Sequence, residues 1–257
     1  MAVSTARVAE RPRAFVRVAG SDAEDYLQRM LSNDVAALGT GDSCDALLLT
    51  AKARVIAPLR VLRRGPEEFL LLTEPELGER VRHELMRFRF AAKAEIAAED
   101  HRSVVVFGDG EGIPTPDYGE PAREVLDADL EPTVDDDELE RLRIEAGTPR
   151  WGREIDERVL PAEAGLVERA VSFSKGCYPG QEPIARLHYR GHVNRRLRVL
   201  EVDGDPPAPD TEIKLGDKVV GRVTSAVPGV ALGYVRVDVA DDATLTIGPV
   251  QVEMRPA

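Results

Sequence analysis

The segment with the clearest chemical potential is Ser174–Pro183, whose sequence is SKGCYPGQEP. Two glycines and two prolines in ten residues predict a loop rather than a helix or a regular strand. The polar surroundings favour an exposed thiol at Cys177. Because Lys175 stands two positions earlier, we predict that its ammonium stabilises the thiolate, the form of cysteine that attacks and binds metals. Cys177 and Lys175 are therefore the predicted catalytic residues.

A run of basic residues follows this loop, with no acidic residue between Glu182 and Glu201. The chain as a whole has a formal charge of −12, so this run reverses the local field. It is either a cationic strand face or an anion-binding wall beside the thiol, since the segment RLHYRGHVNRRLRV is predicted to form strand and turn. The five arginines are Arg186, Arg190, Arg195, Arg196 and Arg198.

Two histidines in the same run, His188 and His192, have a spacing that suits a metal on a helix. Gly191 interrupts the segment, and the sequence offers no third metal ligand beside the two histidines, so we expect no stably bound metal. Cys44 is predicted to be a small buried apolar residue in the strand-like DSCDALLL. With no CxxC motif, the chain has no disulfide framework and no zinc or iron–sulfur motif of its own.

Composition narrows the class of protein further. The 46 acidic residues outnumber the 34 basic residues, and the resulting net negative charge repels phosphate backbones, so we expect no direct binding to nucleic acid. No apolar run approaches the roughly 20 residues of a membrane helix. The segment MAVSTARVAERPRAF lacks the apolar region of a secretory signal. We therefore expect a cytoplasmic protein that does not associate with membranes, and we expect it to be a monomer.

The 257 residues suffice for two or three lobes. Amphipathic helices alternate with apolar strands as far as Phe107, which predicts an α+β lobe. Glycine, proline and acidic residues dominate Gly108–Asp137, so we predict a reduced, loop-rich middle lobe between about residues 99 and 139. Short alternating segments after Arg195 predict a small antiparallel β-barrel. The predicted domains are residues 1–194 and 195–257.

The octet KGCYPGQE at Lys175–Glu182 resembles the signature of the YgfZ family, folate-binding proteins related to the glycine-cleavage T-protein, an aminomethyltransferase. The resemblance covers about half of the chain, and the octet is its most specific part. The other matching segments are Val18–Gln28, Ser32–Val35, Ala51–Leu62, Arg143–Pro149, Glu154–Asp156, Pro161–Glu163 and the run that begins at Gly191.

The resemblance implies a ring of two to three lobes around a channel that binds tetrahydrofolate. It implies a role in assembly or repair of iron–sulfur clusters, which maintains enzymes such as those that thiolate tRNA. Iron–sulfur enzymes or assembly proteins are the implied partners. The residues expected to bind folate on this basis are Gln181, Glu182, Arg186, Glu145 and Asn33.

The chain departs from the resemblance at three places. T-proteins carry an acidic residue in the hairpin where this chain has Ala57-Pro58, so we do not expect aminomethyltransferase activity. At the two positions where some relatives have tryptophans that line the folate site, this chain has Arg13 and Leu139. The middle lobe is also shorter than in those relatives.

Two alternative functions stay open from the sequence. The first is folate-dependent one-carbon transfer, for which Glu145 or Asp34 would be the candidate general base. The second is a binding module that acts by contact alone, with Cys177 structural.

Overall fold

The protein is described by a computed structural model covering residues 6–256. Its N-terminal half alternates short strands with two helices, as the apolar periodicities predict. In chain order the elements are β1 (Val8–Glu10), β2 (Ala14–Ala19), α1 (Ala23–Met30), β3 (Ser43–Leu49), β4 (Val55–Gly65), β5 (Glu68–Thr73), a 3-10 turn (Pro75–Leu77), α2 (Gly78–Phe88), β6 (Glu95–Glu99), β7 (Ser103–Phe107), β8 (Ile113–Thr115) and β9 (Ala122–Leu126).

The C-terminal half begins with three helices and ends in strands only. Asp135 caps the first of these helices by accepting a hydrogen bond from the Glu138 backbone N–H at 2.8 Å. The elements are α3 (Asp136–Glu145), α4 (Val167–Ala170), α5 (Gln181–Arg190), β10 (Arg195–Val202), β11 (Glu212–Leu215), β12 (Lys218–Val227), β13 (Gly229–Arg236), β14 (Leu245–Ile247) and β15 (Val250–Met254).

A five-stranded antiparallel sheet, in the order β3-β4-β5-β2-β6, forms the first lobe. Apolar side chains of α1 and α2, such as Leu27 and Val81, pack with one face of this sheet. Strand alternation places Leu59 in that core and its neighbours Pro58 and Arg60 on the opposite face. The opposite face is therefore the one that can carry a polar site.

A four-stranded antiparallel sheet, in the order β1-β7-β9-β8, packs on that second face. Phe15, Leu70 and Leu72 of the first lobe contact Ile113 and Leu126 of this sheet. The segment predicted to be loop-rich thus contributes two strands, β8 and β9. These two strands are short and have little strand signal of their own; β9 is ordered by pairing with β7, and β8 by pairing with β9.

The C-terminal strands form a closed antiparallel barrel in the order β10-β13-β12-β11-β14-β15, and β15 pairs back with β10. Helix α3 packs on the barrel through Ile144, which contacts Val230 and Leu232. The α+β class and the C-terminal barrel are confirmed. Within residues 6–256, no helix is both long enough and apolar enough to cross a membrane.

Candidate functional site

The first six residues of the octet, Lys175–Gly180, lie in the loop between α4 and α5, and the last two begin α5. The thiol of Cys177 is exposed. Gly180 has a left-handed backbone (φ +83°), and a Cβ there would lie 2.7 Å from the Thr50 carbonyl oxygen. Only glycine fits this close approach. The loop is thereby held against the turn between β3 and β4, with the thiol left accessible.

The Lys175 side chain lies inside the protein, directed away from solvent. Its ammonium donates to the backbone carbonyls of Gln28, Leu31 and Asn33 at 2.5, 2.7 and 2.8 Å. A cation at the end of α1 also suits the negative end of the helix dipole. Burial lowers the pKa of the Lys175 ammonium to about 8, although the Asp34 carboxylate opposes this shift. All three N–H groups have backbone partners, so Lys175 anchors the loop and does not donate to Cys177.

Replacing Lys175 with methionine is expected to destabilise the protein by about 2 kcal/mol, because three carbonyls at the end of α1 lose their donor. Urea unfolding followed by circular dichroism measures this change. Lys52→Met is the matched control, because Lys52 is an exposed lysine and its removal should leave the midpoint unchanged. Equal midpoints for the two variants would contradict the anchoring role.

Helix α5 corrects two predictions. The sequence predicts a loop at Gln181–Pro183 and strand and turn at Arg186–Arg190. All of these residues lie in α5. Gly180 precedes the first helical residue and Pro183 lies in the first turn, so neither breaks the helix. Their positions at the helix start explain why loop-forming residue types misled the prediction.

The five arginines of the basic run after the octet do not form one continuous anion-binding surface. Arg195 pairs with Glu163 at 3.2 Å, and Arg198 pairs with Asp241 at 2.7 Å. Arg186 is instead exposed on the surface of α5. The anion-binding wall predicted beside the thiol is thus divided between a helix surface and ion pairs on the barrel.

A cavity of about 330 Å³ lies where the two sheets meet α3 and the segment that leads to α4. Arg13, Pro58 and Leu139 all line it. These are positions at which the sequence departs from the family that it resembles, so the departures converge on one place. The further lining residues include Arg11, Asp45, Arg60, Glu74, Asp117, Tyr118, Glu140, Arg143, Arg150 and Arg169.

The five residues predicted to bind folate do not line this cavity. Gln181, Glu182 and Arg186 lie on α5, and Glu145 ends α3. Asn33 instead uses its side-chain amide to donate to the Asp45 and Arg169 carbonyls at 2.7 and 3.2 Å. The structure brings Asn33 and Lys175 together through one hydrogen bond and leaves Glu145 apart from the octet.

Six charged side chains form what we call the ion-pair lattice on the cavity wall. They come from both sheets, from the loop between β8 and β9, and from α4, so the lattice joins distant parts of the chain. It contains equal numbers of positive and negative groups. Its members are Arg13, Arg60, Arg169, Asp45, Asp117 and Glu124.

Asp117 lies at the centre of the lattice. Arg169 donates to it at 2.7 Å, and guanidinium nitrogens of Arg60 and Arg13 lie 3.5 and 4.0 Å away. Burial alone would raise the pKa of Asp117, but these three guanidinium groups outweigh it and hold the pKa well below its usual range. Asp117 therefore stays ionised at neutral pH and acts as a fixed acceptor.

The lattice leaves one buried donor unused. Glu124 accepts two hydrogen bonds from Arg13, at 2.9 and 3.0 Å, and a third from Ser103 at 2.7 Å. Arg60 donates to Asp45 through Nε at 3.0 Å, but its buried Nη1 has no hydrogen-bond partner. Because Arg60 lines the cavity, this N–H is a donor that water or a ligand in the cavity can satisfy.

Stability is expected to fall in acid because lattice carboxylates titrate. The pKa values of Asp117 and Glu124 are lowered in the folded state, so their stabilisation is complete above the unfolded values of about 4. It is lost as pH falls from about 5 towards the folded pKa values. Urea midpoints between pH 7 and 3 test this, and a midpoint that stays constant across that range would contradict it.

The lattice was missed from sequence, although one signal was present. Arg60 stands in the apolar strand segment VIAPLRVL, and a charged side chain within a buried strand is unusual. Asp45, Asp117 and Glu124 carry no comparable signal, since acidic residues are frequent throughout this chain.

Comparison with known proteins agrees with this architecture. Residues 194–257 match the family model described as CAF17, C-terminal beta-barrel domain. The chain is 28% identical over 257 aligned positions to the tRNA-modifying protein YgfZ of Klebsiella pneumoniae (strain 342), covering 83% of this chain and 78% of that protein. The chain is therefore similar to YgfZ proteins over most of its length.

Two further proteins are similar to this chain. The chain is 24% identical to an iron–sulfur cluster assembly factor, the mitochondrial IBA57 homolog of Pyricularia oryzae, over 91% of this chain and 72% of that protein. The crystal structure of the glycine cleavage system aminomethyltransferase T from Bartonella henselae superimposes with a TM-score of 0.83 at 19% identity. It covers 98% of this chain and 85% of that one. This last similarity shows a shared fold.

Proposed function

We propose that this protein is a tetrahydrofolate-dependent accessory factor for assembly or repair of iron–sulfur clusters, with the Cys177 thiol as its reacting group. Its similarity to YgfZ and IBA57 proteins supports a role in iron–sulfur cluster assembly or tRNA modification. The single observation that carries the finer proposal is the exposed thiol in a loop fixed at both ends. The proposed partners are iron–sulfur enzymes or their assembly proteins, and the proposed location is the cytoplasm.

The loop that carries the Cys177 thiol is held in place at both ends. Lys175 anchors one side to the end of α1, and Gly180 holds the other side against the β3–β4 turn. A thiolate is a soft ligand that binds iron and reacts with sulfur, whereas backbone carbonyls and carboxylates are hard ligands. The exposure of Cys177 supports the proposal that its sulfur contacts a cluster or a thiol on a partner protein.

The residues of the cavity fit a folate ring system. Its volume of about 330 Å³ lies at the lower end of the range for ligand pockets, which suits a fused bicyclic ring with its tail extending outwards. Arg60 offers an unused donor, and Asp45 and Asp117 offer acceptors. Bound tetrahydrofolate would supply a one-carbon carrier beside the β3–β4 hairpin.

Tetrahydrofolate is expected to bind the purified protein with an affinity that weakens as salt concentration rises, because its glutamate tail carries two carboxylates that approach arginines. Isothermal titration calorimetry at low and high salt measures both effects. Neither heat nor thermal stabilisation at millimolar tetrahydrofolate would remove folate from the proposal.

The acidic residue that the aminomethyltransferase alternative requires is missing from its expected position in the β3–β4 hairpin. Pro58 lines the wall where the resemblance places the acidic residue of T-proteins, and a proline offers no proton acceptor. The two candidate bases, Glu145 and Asp34, do not line the cavity. We propose that folate serves this protein without transfer from an aminomethyl donor.

A further inference from the structure

A second cavity, of about 520 Å³, lies between α5, the segment that leads into α4 and the start of the barrel. Ile184 and Leu187 of α5 and Leu197 of β10 give it an apolar wall. Ala53 also lines it, and Ala53 belongs to the β3–β4 turn against which Gly180 packs. We call this cavity the α5 groove. Among the described residues, none lines both this groove and the cavity between the sheets, so the two sites are separate.

Helix periodicity places basic side chains beside the groove. Ile184, Leu187 and His188 line the groove and follow the three- and four-residue spacing of one helix face. Arg186 and Arg190 are four residues apart, so they share a neighbouring face, and both are exposed. A chain segment that enters the groove therefore lies next to two guanidinium groups.

The guanidinium groups around the groove are not used inside the protein. Within residues 6–256, Arg186, Arg190 and Arg196 form no ion pair, whereas Arg195 and Arg198 of the same run each pair with a carboxylate. Arg196 is exposed and lines the groove itself. These three cations are free to pair with the carboxylates of another molecule.

The surface around the groove has the opposite charge to the rest of the protein. Its exposed carboxylates are Glu168, which lines the groove, and Glu182, which lies in the first turn of α5. Lys52, exposed in the β3–β4 turn, adds a fourth cation to the three arginines. A surface where cations outnumber carboxylates, in a chain with a formal charge of −12, attracts acidic groups that the remainder repels.

An aromatic cluster adjoins the basic side chains. Phe173 stacks on His188 with ring centroids 4.2 Å apart, and Tyr189 contacts both rings edge-on. Tyr189 is nevertheless 68% exposed. Tyrosine and arginine are among the residue types that contribute most to binding at protein–protein interfaces. A long phosphate backbone would extend from this surface onto the negative remainder of the chain, whereas a short acidic peptide segment would not.

We propose that the α5 groove and its three arginines dock an acidic segment of a partner protein, with one apolar side chain of that segment inside the groove. The surface adjoins the thiol along the chain, because Phe173 stands four residues before Cys177 and α5 begins four residues after it. A segment bound here is held beside the thiol. The inference rests on the proposed reaction of Cys177 with a partner and adds the chemistry by which that partner is selected.

Peptides that carry an activated disulfide measure docking and thiol reaction together. In each probe, one cysteine of a short synthetic peptide is bonded to thionitrobenzoate. The Cys177 thiolate attacks the peptide sulfur, a new disulfide joins peptide and protein, and the coloured thionitrobenzoate leaves. One peptide contains aspartates and a leucine, the second has lysines in place of the aspartates, and the third has serine in place of the leucine. Each rate is divided by the rate with mercaptoethanol, which removes intrinsic differences between the peptides.

The acidic leucine peptide is expected to react with the wild-type protein about tenfold faster than the lysine peptide, because complementary charge raises the rate of encounter. This ratio should fall as salt concentration rises. The serine peptide should react more slowly than the leucine peptide, and equal rates for these two would overturn the groove as the anchoring site. Equal rates for the acidic and lysine peptides would overturn the docking surface and leave the reactivity of Cys177 standing. If no peptide reacts faster than with a Cys177→Ser protein, both proposals fail.

Arg186→Glu and Arg89→Glu form a matched pair. Both arginines are exposed, and neither has an ion-pair partner in the part of the chain that the structure describes. Arg89 follows α2, whereas Arg186 lies on α5. Arg186→Glu should reduce the preference for the acidic peptide about threefold or more, and Arg89→Glu should keep it. Equal losses would trace the preference to net charge and overturn the local surface. A thermal melt checks that each variant folds, and the wild-type comparison of peptides decides alone if Arg186→Glu does not.

A single-stranded RNA of uridines tests the other class of anionic partner. It is expected to inhibit the reaction of the acidic leucine peptide less than a cysteine-free acidic peptide of equal charge does. Stronger inhibition by the RNA would show that the surface prefers nucleic acid and would overturn the protein partner.

Discussion

A Cys177→Ser protein is expected to fold like its parent and to lose its ability to restore iron–sulfur enzyme activity in a deletion strain that lacks this protein. Serine keeps the size and polarity of the exposed side chain, so the loop anchored by Lys175 and Gly180 should not change. The hydroxyl has neither the nucleophilicity of a thiolate nor its affinity for soft metals. Activity should therefore fall close to the level of the deletion strain.

Cys44→Ser is the matched control for this experiment. Cys44 is partly buried against the core of the first lobe, and burial raises the pKa of its thiol to about 12. Its replacement should lower the midpoint of unfolding yet leave complementation intact once the protein is folded. If Cys177→Ser restores activity as well as the parent, the thiol is not the reacting group and the contact-only alternative gains support.

Replacing Asp117 with asparagine is expected to destabilise the protein by about 3 kcal/mol, because breaking a buried ion pair leaves its partner charge uncompensated. The amide removes the negative charge that faces Arg13, Arg60 and Arg169 while keeping the side-chain shape. These arginines come from different parts of the chain, so the loss should affect global unfolding. Urea denaturation at pH 7 measures it.

Asp238→Asn is the matched control, because it breaks an ion pair that is exposed rather than buried. Asp238 also accepts two hydrogen bonds from an arginine, Arg236, at 2.8 and 2.9 Å, but the pair is exposed on the barrel. Exposed pairs contribute little, since water solvates both partners after the change. A small effect at Asp117, comparable to that at Asp238, would show that the lattice is solvated rather than buried.

The sequence predicted those parts of the molecule that depend on local pattern. Alternating apolar residues located β2 and β4, and the glycines and prolines around Cys177 correctly indicated an exposed loop. The C-terminal barrel followed from short strands at regular spacing. In each case the signal lies within a few neighbouring residues.

The sequence could not predict what depends on tertiary contact. Asp45 and Asp117 face the same guanidinium groups only because β3 and the β8–β9 loop come together in the folded chain. The sequence predicts that Lys175 stabilises the thiolate of its neighbour Cys177. In the structure its ammonium instead donates to carbonyls at the end of α1. A lysine two positions from a thiol gives no sign that its side chain turns inwards.

Closure of the barrel limits how a partner protein can attach to it. Because β15 pairs with β10, no strand of the closed ring presents a free edge to which another polypeptide could add a strand. The outer strands of the two sheets, such as β6 and β8, keep such edges within residues 6–256. Recognition through the barrel must therefore use side chains and loops, whereas strand addition is confined to the lobes that surround the cavity.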